Sequence, residues 1–210
     1  MNEKTYHHGD LKNALIQAGI ELLAREGVYA LSLRKVAARA GVSHTAPYSH
    51  FADKQGLIAA ISTAGYRKIQ ERVQAVYTEN SQDALRLLVY TAWAYVQFAI
   101  QEPDHFKITF SGVVEKENSY PALVDAAQGG YNLFTRVVSI CQAEGILRPG
   151  SPELMAIGLW GSIHGLVTLV LEGQVSHTIL ERYTWQQMLI FVLGGVTLVP
   201  IPAEILDGVS

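Results

Sequence analysis

Eight consecutive positions hold the densest polar chemistry in the chain: Ser43, His44, Thr45, Tyr48, Ser49 and His50, with only Ala46 and Pro47 between them. Three hydroxyls, two imidazoles and a phenol can donate to phosphate oxygens or to base edges. The same residues make a poor metal site. His44 and His50 lie six apart with no flanking carboxylate pair, whereas helical metal sites favour closer spacing such as i, i+4. A serine nucleophile with a histidine base also lacks an orienting acid nearby, so no catalytic constellation and no enzyme is expected. Cys141 is the single cysteine, which excludes an internal disulfide framework and a multi-thiolate site. On an apolar helix it reads as a small buried residue. No metal and no cofactor is implied.

These side chains need a scaffold. Ser32 opens a short helix with Leu33, Val36, Ala37 and Ala40 on one face, and Gly41 closes it. Two short helices crossing steeply need a small residue at the contact, here Ala37, and a residue free to take φ > 0 at the turn, here Gly41. Val42 is placed to plug the angle. Ser43 is the expected cap of the second helix, residues 44–50. Pro47 falls late in it, so either a backbone bond is lost or the helix starts nearer Thr45. A helix this poor in aliphatic residues suits reading a surface better than packing a core. The whole has the physics of a helix-turn-helix, with a plain helical hairpin as the bland alternative.

Around this window the periodicity is helical and no hairpin turn signal appears. Leu11, Leu15, Ala18 and Leu22 follow a possible cap at Asp10, and Gly27 stops that helix. Asp53 precedes a long helix from Lys54 to about Tyr77, with Leu57, Ile61, Ala64 and Ile69 inward. Five more helices are expected at Gln82–Gln101, Pro103–Phe110, Pro121–Glu144, Pro152–Glu172 and Thr184–Leu198, with prolines in three first turns. The chain reads as all-α.

Composition agrees. The 210 residues are 49 % hydrophobic and 17 % charged, which excludes a disordered chain. The net charge of −3 is unevenly spread. Residues 1–80 hold ten Lys/Arg against seven Asp/Glu, while acids outnumber bases two to one in the remainder. A module facing an anionic partner, joined to a body that does not, fits this split. The segment MNEKTYHHGDLK has no apolar h-region of a secretory signal, so a cytoplasmic protein is expected.

Tyr6-His7-His8-Gly9-Asp10-Leu11, Ser32-Leu33-Arg34, Ala40-Gly41-Val42-Ser43, Ala46-Pro47-Tyr48, His50-Phe51 and Asp53-Lys54 together resemble the N-terminal domain of TetR-type transcriptional regulators. The resemblance spans residues 6–69, with the motif at about 32–51. Trp160-Gly161-Ser162-Ile163-His164-Gly165 is similar to a Trp-x-x-x-His-Gly box in the C-terminal domain of one subgroup, placing a second domain at about 81–205. The resemblance implies a ligand-responsive repressor that binds a palindromic double-stranded DNA operator as a homodimer. Ser43, His44 and Thr45 then face base edges. Ser32, Tyr48, His50 and Lys54 meet the DNA backbone, Arg34 meets base or phosphate, and Pro47 belongs to the same interface. Ser49 stands where the family often has a basic residue. His7-His8 could be an ordered arm or a frayed end.

The C-terminal half is charge-poor. Residues 154–171 and 183–203 contain no Asp, Glu, Lys or Arg, so either run passes a hydropathy test for a membrane span. Both carry glycines and polar residues, and no basic cluster sets an orientation. The resemblance instead pairs helices 152–172 and 184–198 with their twins in a dimer; the alternative is a membrane-associated regulator or sensor anchored by those two helices. Trp160 and His164, at i and i+4, share a face that could line an effector pocket or simply pack. Trp93, Phe106, Phe110 and Tyr131 fit a small-molecule inducer site or ordinary core, and aromatic residues at helical spacing are core more often than pocket.

Overall fold

The computed structural model describes residues 8–115 and 117–209. Nine α-helices occur among them: α1 His8–Ala30, α2 Leu33–Ala40, α3 Lys54–Asn80, α4 Ala84–Gln101, α5 Pro103–Thr109, α6 Pro121–Ala143, α7 Pro152–Leu171, α8 His177–Arg182 and α9 Trp185–Gly194. A 3-10 turn covers Ala46–Ser49. The prolines at the starts of α5, α6 and α7 sit where a missing N–H costs nothing. Ser32 caps α2 by accepting from Lys35 N at 3.2 Å, and Asp53 caps α3 by accepting from Gly56 N at 2.8 Å.

Two compact units result. The first takes in the chain up to Arg67 together with Glu102–Ala127; the second takes in Lys68–Gln101 and everything from Gln128. In the first, Leu15, Ala18 and Leu23 of α1, Leu33 and Val36 of α2, Leu57, Ile58 and Ile61 of α3 and Ile108 of α5 form one core, with Val42, Val113 and Val114 packed against it. Buried His105 ties α5 to α3 by donating from Nε2 to the Ile61 carbonyl at 2.9 Å. Its Nδ1 lies 3.2 Å from Glu102.

In the second unit α4 is buried along most of its length. It packs on α7 and α9 through Ala156, Leu159, Ile163 and Val167 of α7 and Leu189 and Leu193 of α9. Cys141 is buried and donates to the Ala84 carbonyl at 3.3 Å. Burial pushes its thiol up to about 12, which leaves it protonated and unreactive.

Several expectations are corrected. Helix α1 begins at His8, ahead of Asp10, and continues past Gly27 in a kink with φ 76° and ψ 173°. The Tyr6-His7 part of the first motif, and with it the question of an N-terminal arm, lies outside the described residues. Helix α8 has no buried residue and left no periodic signal. Helix α9 stops at Gly194 rather than Leu198. The chain then turns so that Leu198 N donates to the Ile146 carbonyl at 2.8 Å, and Thr197 bridges to Leu147. Ten residues at ~1.5 Å each reach ~15 Å, half of a ~30 Å hydrocarbon core. Helix α7 alone, among the described residues, is long and apolar enough to cross a membrane by length and composition. The pair of anchors required by the membrane alternative is therefore not supported.

Candidate functional site

Helix α2 ends as its sequence requires. Gly41 takes φ 70° and ψ 29°, a left-handed conformation that strains any residue with a Cβ. Val42 N then reaches back to the Ala37 carbonyl at 3.0 Å, closing the end of the helix. Ala37 is fully buried at the contact. The second element is shorter than two α-turns. Its first residue is Ala46, Thr45 occupies the cap position without a side-chain cap bond, and Pro47 falls in the first turn. Of the two alternatives raised by Pro47, the later start is the one adopted. Ser43 is not a side-chain cap: its hydroxyl lies 3.2 Å from that of Thr45, and its carbonyl accepts from Ala46 N at 3.1 Å.

The consequence is a small exposed platform. Ser43, His44 and Thr45 are exposed, Tyr48 is 61 % exposed, and Ser49 is exposed with its hydroxyl donating to the Ala46 carbonyl. Pro47, expected at the interface, is buried, so it shapes the turn from beneath rather than offering a surface. His50 is half-buried against Phe51, and its Nε2 is shielded from solvent without a hydrogen-bond partner.

Three cations lie on α2, and the structure sorts them. Lys35 pairs with Glu26 at 2.6 Å and Arg39 donates from Nε to Glu21 at 2.6 Å, both carboxylates on α1. The Lys35 ammonium holds the Glu26 carboxyl below the usual carboxylate range. Exposed pairs like these add little stability, so their main effect is to fix the α1–α2 angle and to occupy charge. Arg34 is exposed and makes neither contact. Lys54, at the start of α3, donates from Nζ to the Val28 carbonyl at 3.2 Å and is half-buried there.

The effector candidates separate. Phe106 and Phe110 belong to the first unit, with rings 4.9 Å apart, and Phe110 meets Tyr66 edge-on at 5.3 Å. In the second unit Trp93 is buried and its indole N–H finds no partner. Tyr131 donates to the Glu153 carbonyl at 3.0 Å. Trp160 and His164 converge on a residue that the sequence did not single out, Tyr95. The Trp160 indole donates to the Tyr95 hydroxyl at 3.2 Å, and that hydroxyl lies 2.7 Å from His164 Nδ1. The hydroxyl has one proton and two lone pairs, so beside the indole bond it can either donate to a bare Nδ1 or accept from a protonated one. Burial lowers the imidazole below its ordinary value and so favours the neutral ring. His164 Nε2 then faces Thr168 at 3.4 Å. Among the described residues no three His, Cys, Asp or Glu side chains gather as a metal site would need.

A left-handed glycine turn between two short helices, an exposed polar second element and a helical second unit define a helix-turn-helix DNA-binding protein. Residues 15–61 match the family of bacterial regulatory proteins, tetR family, and residues 88–190 match the tetracyclin repressor-like C-terminal domain. The chain belongs to the TetR family, whose members are transcription regulators and not enzymes. It is similar to YobS of Bacillus subtilis (strain 168), an uncharacterised HTH-type transcriptional regulator, at 27 % identity over 51 % of this chain and 56 % of that one. The chain thus spans little more than half the length of that relative. A tetR-family regulatory protein from Rhodococcus RHA1 has a similar structure, at TM-score 0.69 and 23 % identity over 89 % of this chain and 96 % of that one. So does SmeT in a complex with triclosan, at TM-score 0.64 and 18 % identity over 92 % and 96 % of the two chains.

Proposed function

We propose that the protein is a cytoplasmic, ligand-responsive repressor that binds a palindromic operator as a homodimer. Residues 6–69 form its DNA-binding domain, with Glu102–Ala127 completing that domain's core, and the rest of residues 81–205 bind the effector and dimerise. The observation that carries the DNA reading is the sorting of α2. Lys35 and Arg39 are occupied by Glu26 and Glu21, whereas Ser43, His44 and Thr45 stand exposed at the start of the second element. In this reading those three face base edges in the major groove, while Ser32, Arg34, Tyr48, His50 and Lys54 line the phosphate backbone.

Dimerisation uses the apolar faces that α7 and α9 leave uncovered. Leu154 is 73 % and Phe191 84 % exposed. Gly158, Gly161 and Gly165 lie on the same side of α7 as Leu154, with open space where a Cβ would stand. The triclosan bound to SmeT supports a small-molecule effector, with Trp93, Tyr131, Trp160 and His164 as its contacts in the second unit. An effector releases DNA only by preferring the non-binding state, and each tenfold loss of operator affinity needs ~1.4 kcal/mol of coupling.

Selection of bound fragments from random DNA tests this, repeated in the presence of candidate effectors. Enrichment of a two-fold symmetric sequence, reduced by one of the effectors, is the expected result. Recovery of no common sequence from a protein that sediments as a monomer refutes it.

A further inference from the structure

Two large aromatic side chains of the first unit stand out in water: Tyr48 and, more fully, Tyr29, which is 97 % exposed. Tyr48 already belongs to the proposed DNA interface. We propose that Tyr29 is a second tyrosine contact to the DNA backbone, its phenol hydroxyl donating to a phosphate beside the one served by Lys54; the assignment rests on the DNA reading above.

The local backbone explains why Tyr29 points outward. Gly27 breaks the axis of α1, so residues 28–30 no longer continue its buried face. Val28 and Leu31 on either side turn inward onto the core. Leu31 N donates to the Val28 carbonyl at 3.3 Å and closes a tight turn with Tyr29 at its tip. That turn is held from a second direction, because Lys54 Nζ donates to the same Val28 carbonyl at 3.2 Å. The peptide unit that accepts the ammonium is the one that leads into Tyr29. The backbone that carries Tyr29 is thereby tied to the half-buried Lys54 ammonium through one carbonyl.

The charge around the turn is suited to a phosphate. Glu26, the nearest carboxylate in sequence, is occupied by Lys35. Ser32, three residues on, spends a lone pair on its cap bond, which leaves its O–H to donate elsewhere. Arg34 stands exposed beyond it. A neutral donor adds a hydrogen bond to an anion without adding charge, which separates its signature from that of Arg34 or Lys54.

The test compares wild type, Tyr29→Phe, Tyr29→Ala, Arg34→Ala and His44→Ala by fluorescence anisotropy on a duplex recovered from the selection and on a random duplex. Tyr29→Phe is expected to weaken binding to both duplexes by about tenfold per protomer, the effect of one hydrogen bond to a charged acceptor, and so by about a hundredfold for the dimer. The slope of log K against log salt should stay at the wild-type value, and so should the melting temperature. Arg34→Ala should reduce the slope. Tyr29→Phe and Tyr29→Ala both binding within twofold of wild type, while His44→Ala still loses the selected duplex, overturns the Tyr29 assignment alone. Loss of melting temperature in Tyr29→Phe also overturns it, by showing a structural role. No effect from any of the four substitutions overturns the DNA reading itself.

Discussion

Tyr95→Phe removes one oxygen and two hydrogen bonds at once. In the folded chain that oxygen accepts from Trp160 and shares a hydrogen bond with His164 Nδ1. A typical bond of this kind contributes ~1 kcal/mol net, and more where the abandoned group stays out of water. His164 and Trp160 are only half-buried, so water recovers part of the loss and ~2 kcal/mol is the reasonable total. At this chain length each kcal/mol moves the melting point by ~2–4 °C, so the variant should melt roughly 4–8 °C lower, compared at one protomer concentration. A second readout comes from pH. His164 is held below its ordinary value of 6.5 by burial. As pH falls through 6.5 the unfolded chain binds a proton that the folded chain refuses. Wild-type stability should therefore decline below 6.5 and level off once the folded imidazole also titrates. Equal melting points for the two proteins, or a wild-type stability that does not decline between pH 7 and 5, would refute this reasoning.

Three further outcomes are expected. His44→Ala or Thr45→Ala should change the preferred DNA sequence at a cost of ~1–3 kcal/mol per base contact, read by repeating the selection with each variant. Gly41→Val should lose operator binding in anisotropy while remaining a dimer in sedimentation. No atom crowds the new Cβ, so the cost is chiefly backbone strain at φ 70°, ~1–3 kcal/mol falling on the reading element. Phe191→Asp and Gly165→Glu should give folded monomers by sedimentation and circular dichroism, because neither position packs tightly within the protomer; dimers of wild-type affinity would place the interface elsewhere.

Local signals carried much of the fold. Pro103, Pro121 and Pro152 begin their helices, and Ser32, Asp53 and Gly41 perform the capping and turning that their side chains or lack of one suit them for. Such features are decided within a turn of the residue concerned. What escaped the sequence is decided over distance. Tyr95 and His164 are 69 positions apart, and nothing in either helix alone announces that they meet. The pairing of Lys35 with Glu26 and Arg39 with Glu21 depends on how α1 and α2 cross. An apolar run spanning Leu189 and Leu198 hid the end of α9, where Gly194 and Gly195 release the helix and a backbone bond to Ile146 redirects the chain. The second element of the motif was overestimated in length because its polar residues offer no periodicity to measure.

Ile108, Val113 and Val114 complete the core built by α1, α2 and α3. The DNA-binding unit is therefore not contiguous in the chain, since Glu102–Ala127 belongs to it and Lys68–Gln101 does not. During synthesis the first 67 residues must wait for about 60 more before their apolar surface is covered, roughly 3–12 s at ordinary elongation rates. Over that interval a nascent chain shows an open hydrophobic face, which is when chaperones bind and when aggregation begins. A fragment cut after residue 69 would keep every residue of the helix-turn-helix and still carry that open face permanently.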